Sequence, residues 1–231
     1  STSFFLGALL EAAGESAAVY TSPHLASVRE RFWRRGAPVG YDALEGAARE
    51  LRRAIDAGGL HPTFFEVLTV LGLRLAADAG CRWCVLEAGI GGRLDATNFI
   101  PPPAACVITP VSLDHVPLLG TTAAEIAAEK AGIVKPGRPV VAGPQEPAAL
   151  AVIEAAAIRA GAPLIAWGRD FSAHEEHGRV VFQDLQGVLD LPPPRLAGVH
   201  QIANAATAIA ALRAQDRFDI SDLAIETGLA N

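Results

Sequence analysis

The sequence has no methionine, at position 1 or anywhere else, and only three cysteines among 231 residues. Without methionine it reads as a fragment, or a trimmed product, of a longer reading frame, with chemistry missing at both ends. Three cysteines in a chain of this length do not make a disulfide framework, and a reducing cytoplasm suits them. They do not make a zinc site either. Zinc takes four ligands, and Cys81-x-x-Cys84 has only Cys106 to join it, so the pair reads as structural, free thiols behaving as small hydrophobes. No window of 18 uninterrupted apolar residues occurs, so no membrane span is expected. The N-terminus lacks the basic region and cleavage site of a signal peptide. Net charge is −6 and no stripe of Lys or Arg runs through the chain, which leaves no footprint for nucleic acid. The densest basic group, Arg29, Arg31, Arg34 and Arg35, is interrupted by Glu30, Phe32 and Trp33 and reads as a solvated surface segment.

What the chain does have is apolar mass, 51% of its residues, enough for a sizeable core. Short apolar strands alternate with helical patterns. Helices are predicted over Ser1 to Ala13, Asp42 to Ala57 (capped by Asp42), Thr63 to Ala79, Thr122 to Gly132, Pro147 to Ala160 and His200 to Ala214, with a last short one from Ser221. Strands are predicted over Ala17 to Tyr20, Arg82 to Leu86, Ala105 to Thr109, Pro139 to Ala142 and Leu164 to Trp167. This alternation argues an α/β fold, a parallel sheet with helices on both faces. From Phe171 to Leu191 the pattern changes to an antiparallel hairpin turning at Gln186-Gly187.

The most informative stretch is Glu87-Ala88-Gly89-Ile90-Gly91-Gly92-Arg93-Leu94-Asp95-Ala96-Thr97-Asn98. It follows Trp83-Cys84-Val85-Leu86, which reads as a buried strand. A carboxylate at a strand end before a glycine-rich turn is a common way to set a metal ligand beside a phosphate. Open α/β sheets bind ligands at the carboxyl ends of their strands, where Ser22, Glu87 and Thr109 all fall. Asp114-His115 follows another strand, and a Glu and a His converging there suit Mg²⁺ or Mn²⁺; a hydrogen-bonded structural His is the plainer reading. Ser1-Thr2 is either a helix cap or the hydroxyl pair that follows a phosphate-loop lysine. Thr21-Ser22-Pro23-His24 is either an ordinary X-Pro turn or a source of an oxygen ligand. Lys130, in Glu129 to Gly137, is on its own a residue of a wet helix face.

Six strings in order over most of the chain resemble the folylpolyglutamate synthase / dihydrofolate synthase family of the Mur ligase superfamily. They are Tyr20-Thr21-Ser22-Pro23-His24-Leu25, Pro62-Thr63-Phe64-Phe65-Glu66, the Glu87 to Asn98 run, Ser112-Leu113-Asp114-His115 with Leu119-Gly120, Glu129 to Gly137, and Gly198-x-His200-Gln201-x-x-Asn204-Ala205-Ala206. The resemblance implies a mostly parallel P-loop-type sheet, the Mur ligase central domain, over residues 1–231. The family's Gly-Thr-Asn-Gly-Lys-Gly loop is not in the sequence, nor is its C-terminal domain.

The resemblance also implies an ATP-dependent ligase that adds L-glutamate to dihydropteroate, to a reduced folate, or to both, through an acyl phosphate. By the same resemblance Glu87 and His115 are ligands of a Mg²⁺, Ser22 and Ser1 attend another, and Lys130 is carbamylated. Asn204, His200 and Gln201 fall on the ATP side; Thr63, Phe65 and Asp95 on the pterin side. Glu87, His115 and Lys130 form the implied catalytic set, in a cytoplasmic monomer with no nucleic-acid or membrane partner. This chain alone is expected to be inactive. Two rivals are a Mur-type ligase for a peptidoglycan precursor and an inactive ATP-binding remnant.

Overall fold

A computed structural model of the chain describes residues 1–100, 102–113 and 116–230. Its order is α1 (Thr2–Ala12), β1 (Ala17–Tyr20), β2 (Phe32–Arg34), β3 (Ala37–Pro38), α2 (Tyr41–Gly58), α3 (Phe64–Asp78), β4 (Trp83–Leu86), β5 (Cys106–Ile108), α4 (Val116–Leu119), α5 (Ala123–Lys130), β6 (Val140–Ala142), α6 (Pro147–Arg159), β7 (Leu164–Ala166), β8 (Phe171–Glu176), β9 (Arg179–Asp184), β10 (Gly187–Leu191), α7 (His200–Ala214) and α8 (Asp222–Ala230). Each predicted helix and strand is present within two residues of its expected ends. The cap of α2 differs: Gly40 is its N-cap and Asp42 lies in its first turn.

The predicted α/β class holds, with one difference in the sheet. The parallel strands form two sheets, β3-β2-β1-β4 and β5-β6-β7, and the antiparallel region is a third, β10-β9-β8. β1 runs parallel to β4, and β5, β6 and β7 are mutually parallel. Side chains alternate across a strand, and the core records it. In β6, Val140 packs among Ile126, Ile153 and Ala157 of α5 and α6, while Val141 joins the cluster of Leu9, Ala208 and Ile209 from α1 and α7. In the first sheet Ala17 faces the α1 side, and Tyr20 faces Leu68 and Leu71 of α3. Helices thus cover both faces.

Two expectations fail here. The basic segment at 29–35 is solvated only in part: Arg34 and Arg35 are exposed, but Phe32 is 3% and Arg31 8% exposed, because residues 32–38 form the β2–β3 hairpin on the outer side of β1. Arg35 and Gly36, both at positive φ, make its two-residue turn. The strand Trp83–Leu86, expected to be buried, is half-buried, and Cys84 is exposed. The reason is that β4 pairs on one edge only.

The antiparallel sheet packs Phe171, Val180, Phe182 and Leu191 into the cluster of α1 and α7, and Arg213 of α7 adds a polar tie. Its guanidinium donates to both oxygens of Asp184, at 2.9 and 3.0 Å, and the two side chains are 8% and 12% exposed.

Candidate active site

The free edge of β4 opens on a slot of about 890 Å³. Trp83 to Glu87 line one wall and Ala105 to Thr109 the other, with Thr2, Ser3, Leu6 and Leu10 of α1 and Ala211 and Leu212 of α7 also on it. Consecutive strand residues point to opposite faces. A space touched by all of them therefore runs along the main-chain edge. β4 and β5 each present an unpaired edge to this slot, and at its end lie Ser22, Glu87, Gly89 and Lys130.

Glu87 is fixed in the backbone by its N–H donating to the Tyr20 carbonyl at 3.0 Å, the last rung between β4 and β1. Its carboxylate accepts one bond, from Ser3 Oγ at 3.1 Å. Burial pushes the carboxyl above its ordinary range, opposed by the hydrogen bond from Ser3. A half-buried carboxylate with one hydroxyl partner retains lone pairs for a cation. Its neighbours Ser22 and Ser1 offer further oxygens, the donors a hard cation takes. Among the described residues no three His, Cys, Asp or Glu converge on a point. His115, expected as a second ligand with Glu87, lies outside the described residues.

The helix starts of α1 and α7 are laced together. Gln201 donates to Ser1 Oγ at 3.3 Å, Asn204 donates to Gln201 Oε1 at 3.0 Å, and Thr2 Oγ1 donates to Asn204 Oδ1 at 3.1 Å. The structure thus joins Ser1, Gln201 and Asn204 beside Ser3 and Glu87. His200 stands apart, exposed at the first position of α7 with its ring against Gly198. Ser3 escaped the sequence reading; its adjacency to the Ser1-Thr2 hydroxyl pair was the available signal.

The glycine-rich turn is built from within. Asp95 Oδ2 accepts the N–H groups of Gly89 and Ile90 at 2.8 and 3.0 Å, and Oδ1 accepts the N–H and hydroxyl of Thr97. Both oxygens of Asp95 are therefore engaged in holding the turn. The turn also locks onto the end of α5. Arg93 N–H donates to the Glu129 carbonyl at 2.9 Å, and Asn98 donates to the Gly132 carbonyl at 3.1 Å. A Cβ on Gly132 would sit 2.5 Å from the Cα of Arg93, so only glycine permits this approach. The contact brings Lys130, the last residue of α5, to the slot, half-buried.

Thr63 caps α3 in a capping box. Its hydroxyl accepts Glu66 N–H at 3.3 Å, and Glu66 Oε2 takes the Thr63 N–H at 2.6 Å. Those bonds hold the Glu66 carboxyl below its usual range. Phe65, two residues on, is half-buried, with its ring 6.2 Å from that of Tyr20 and directly over Gly89. Phe64, Ile90, Leu94 and Phe99 stand exposed on the same two segments, an apolar border able to receive a flat heterocycle.

No family model matches the chain. It is 36% identical over 232 residues to the dihydrofolate synthase/folylpolyglutamate synthase of Escherichia coli, covering 98% of this chain and 51% of that one. It is 32% identical over 233 residues to the dihydrofolate synthetase of Saccharomyces cerevisiae, with 98% and 53% covered. Among solved structures, an FPGS–AMPPCP complex superposes with a TM-score of 0.91 at 33% identity, over 99% of this chain and 59% of the other. E. coli FolC in complex with DHPP and ADP gives 0.89 at 36%, over 99% and 53%. The chain spans about half the length of the curated relatives it matches.

Proposed function

Because the chain belongs to the folylpolyglutamate synthase / dihydrofolate synthase family, we propose that it is the ATP-using part of a ligase adding L-glutamate to dihydropteroate, to a reduced folate, or to both. The observation that carries the reading is Glu87, a carboxylate with one hydroxyl partner at the end of an open slot, beside the laced starts of α1 and α7.

A carboxylate is a poor electrophile because attack on it would have to expel oxide. Transfer of a phosphoryl group from ATP makes it an acyl phosphate; the glutamate amine then attacks the carbonyl and phosphate leaves. Glu87, Ser22 and Ser1 would hold Mg²⁺, with His115 as the resemblance implies. Bound there, Mg²⁺ neutralises charge on the transferring phosphoryl group. Asn204 and Gln201 would meet the nucleotide, with His200 at the exposed border of α7. Lys130, at the slot, fits a carbamylated lysine that supplies a further anionic ligand. Phe65 and the apolar residues around it would receive the pterin, with Thr63 and Asp95 setting the segments that carry them.

The central-domain reading also draws support from the slot. A strand lying between β4 and β5, parallel to both, would join the two parallel sheets and lead a phosphate-binding loop to Ser1. The free state of Cys81, Cys84 and Cys106 fits a reducing cytoplasm, and a monomer is the working assembly.

The test is phosphate release with product masses from the full-length protein given ATP, Mg²⁺ and glutamate. One arm holds dihydropteroate, one a reduced folate and one a nucleotide-sugar peptide precursor. Turnover in the first two names a bifunctional enzyme, and in either alone names the activity. Turnover only in the third, or in none, overturns the proposal.

A further inference from the structure

Arg31 is a buried cation that holds its loop with only part of its guanidinium. It is 8% exposed, and no carboxylate lies within ion-pair distance of it among the described residues. Its Nε donates to Nδ1 of His24 at 2.8 Å, while its Nη1 is buried without a partner. Arginine carries no lone pair, so the ring nitrogen it faces holds no proton, and the His24 proton belongs on Nε2. The preceding residue acts on the same loop from the other side. Glu30 accepts the N–H groups of Leu25, Ala26 and Ser27 at 2.8, 3.1 and 2.8 Å. The pair Glu30-Arg31 therefore grips the segment that follows Ser22, one by its backbone and one by its ring. A loop held this firmly, with a charged N–H left over, is arranged for something that arrives later. Buried donors are otherwise almost always paired.

Position narrows what arrives. The sheet order β3-β2-β1-β4 puts β1 between Arg31 and the slot: Thr21 N–H donates to the Arg31 carbonyl on one side of the strand end, and Glu87 N–H donates to the Tyr20 carbonyl on the other. On its own side Arg31 neighbours Tyr20, whose ring faces Phe65 at 6.2 Å. We propose that Arg31 binds the acid substrate, donating Nη1–H to one of its anionic or carbonyl oxygens while its Nε–H keeps His24 and the loop in place. This rests on the ligase reading above and adds to it a residue of that site.

The test uses the full-length protein. Kinetics are measured for Arg31→Gln and Arg31→Lys against each of the three substrates. A lost charge-assisted hydrogen bond predicts a KM for the acid raised by roughly ten- to a hundredfold in Arg31→Gln, with KM for ATP and for glutamate within about twofold. Arg31→Lys recovers part of the loss, because an ammonium reaches one partner but not both. An equal rise in all three KM values, or a fall in kcat alone, overturns the assignment. A second measurement needs no variant: in the structure of the wild-type protein with the acid bound, Nη1 lies within about 3.2 Å of an acid oxygen. A different partner there overturns it too. A wild-type protein with no turnover on the acid sinks the ligase reading itself, whereas normal wild-type turnover with an unchanged acid KM in Arg31→Gln sinks only the role of Arg31.

Discussion

In the β8–β9–β10 sheet the central strand is paired on both sides, and both oxygens of Asp184 are met by Nη1 of a buried arginine. Around the slot, β4 and β5 leave facing edges open, and Glu87 has a single hydroxyl for company. The first region engages both oxygens of its carboxylate, with Arg213 Nε buried beside them without a partner; the second leaves its carboxylate with lone pairs to spare. The contrast repeats among the glutamates. Glu30, Glu66 and Glu125 each accept N–H groups of nearby backbone, which hold their carboxyls below the usual range, whereas burial drives Glu87 the other way. Carboxylates that hold local structure give their lone pairs to main chain, and the one that does not is the better candidate for chemistry.

The largest expected effect breaks the open region. Glu87→Gln in the full-length protein should lower turnover by about 10²- to 10³-fold, the usual loss for one electrostatic contact to a transition state. Its urea midpoint should hold or rise, since a desolvated charge has been removed. Undiminished turnover would take the slot end out of the chemistry.

Next comes the completed region. Asp184→Ala leaves the buried guanidinium of Arg213 with only its exposed partner Asp222 at 3.0 Å and should cost about 3 kcal/mol in urea unfolding, with kcat unchanged. If turnover fell and stability did not, the two regions would not divide as described.

Smaller again is the cap of α3. Thr63→Ala should lose about 1 kcal/mol. Glu66 sharpens the point through pH. Its folded pKa is lowered, so its contribution is present above its unfolded value near 4.5 and is lost as pH falls through the folded one. Glu66→Gln should therefore be less stable than wild type at pH 7, with the gap closing below pH 4.5; a gap that widened in acid would contradict the capping role.

The least effect is expected at Arg93→Ala. Its 3.0 Å pair with Glu129 is 56% and 29% exposed, worth about 0.5 kcal/mol in a thermal melt. The N–H contact to the Glu129 carbonyl survives the substitution.

The sequence was most readable where the governing interactions are local. The helix starts at Thr63 and Thr122, the turn before β10 and the polar run after β4 can be read without knowing what lies across the fold. Long-range partners were hidden. β2 and β3 were obscured by the arginines around them, of which Arg31 is buried beside β1, and β8 by the polar His174-Glu175-Glu176, which stay exposed when β9 pairs with them. The separation of the parallel strands into two sheets depends on an edge, and hydropathy carries no record of edges. At the site, strand-end placement exposed Glu87 and Ser22 as candidates. The full engagement of Asp95 within its own turn and the burial of Arg31 emerge only from the folded chain.

The packing of α1 bears on how the molecule comes to be made. Leu9 is buried at 0%, among Ile225 and Leu229 of α8 and Ile209 of α7, so the first helix is completed by the last two. Contacts of such wide sequence separation are slow to form because a long loop must close first. During synthesis α1 has to wait, its apolar face uncovered, until some two hundred further residues have emerged from the ribosome. Chaperone demand in the cell should therefore persist until α8 has emerged, and a chain stalled or released before α8 should aggregate through that face.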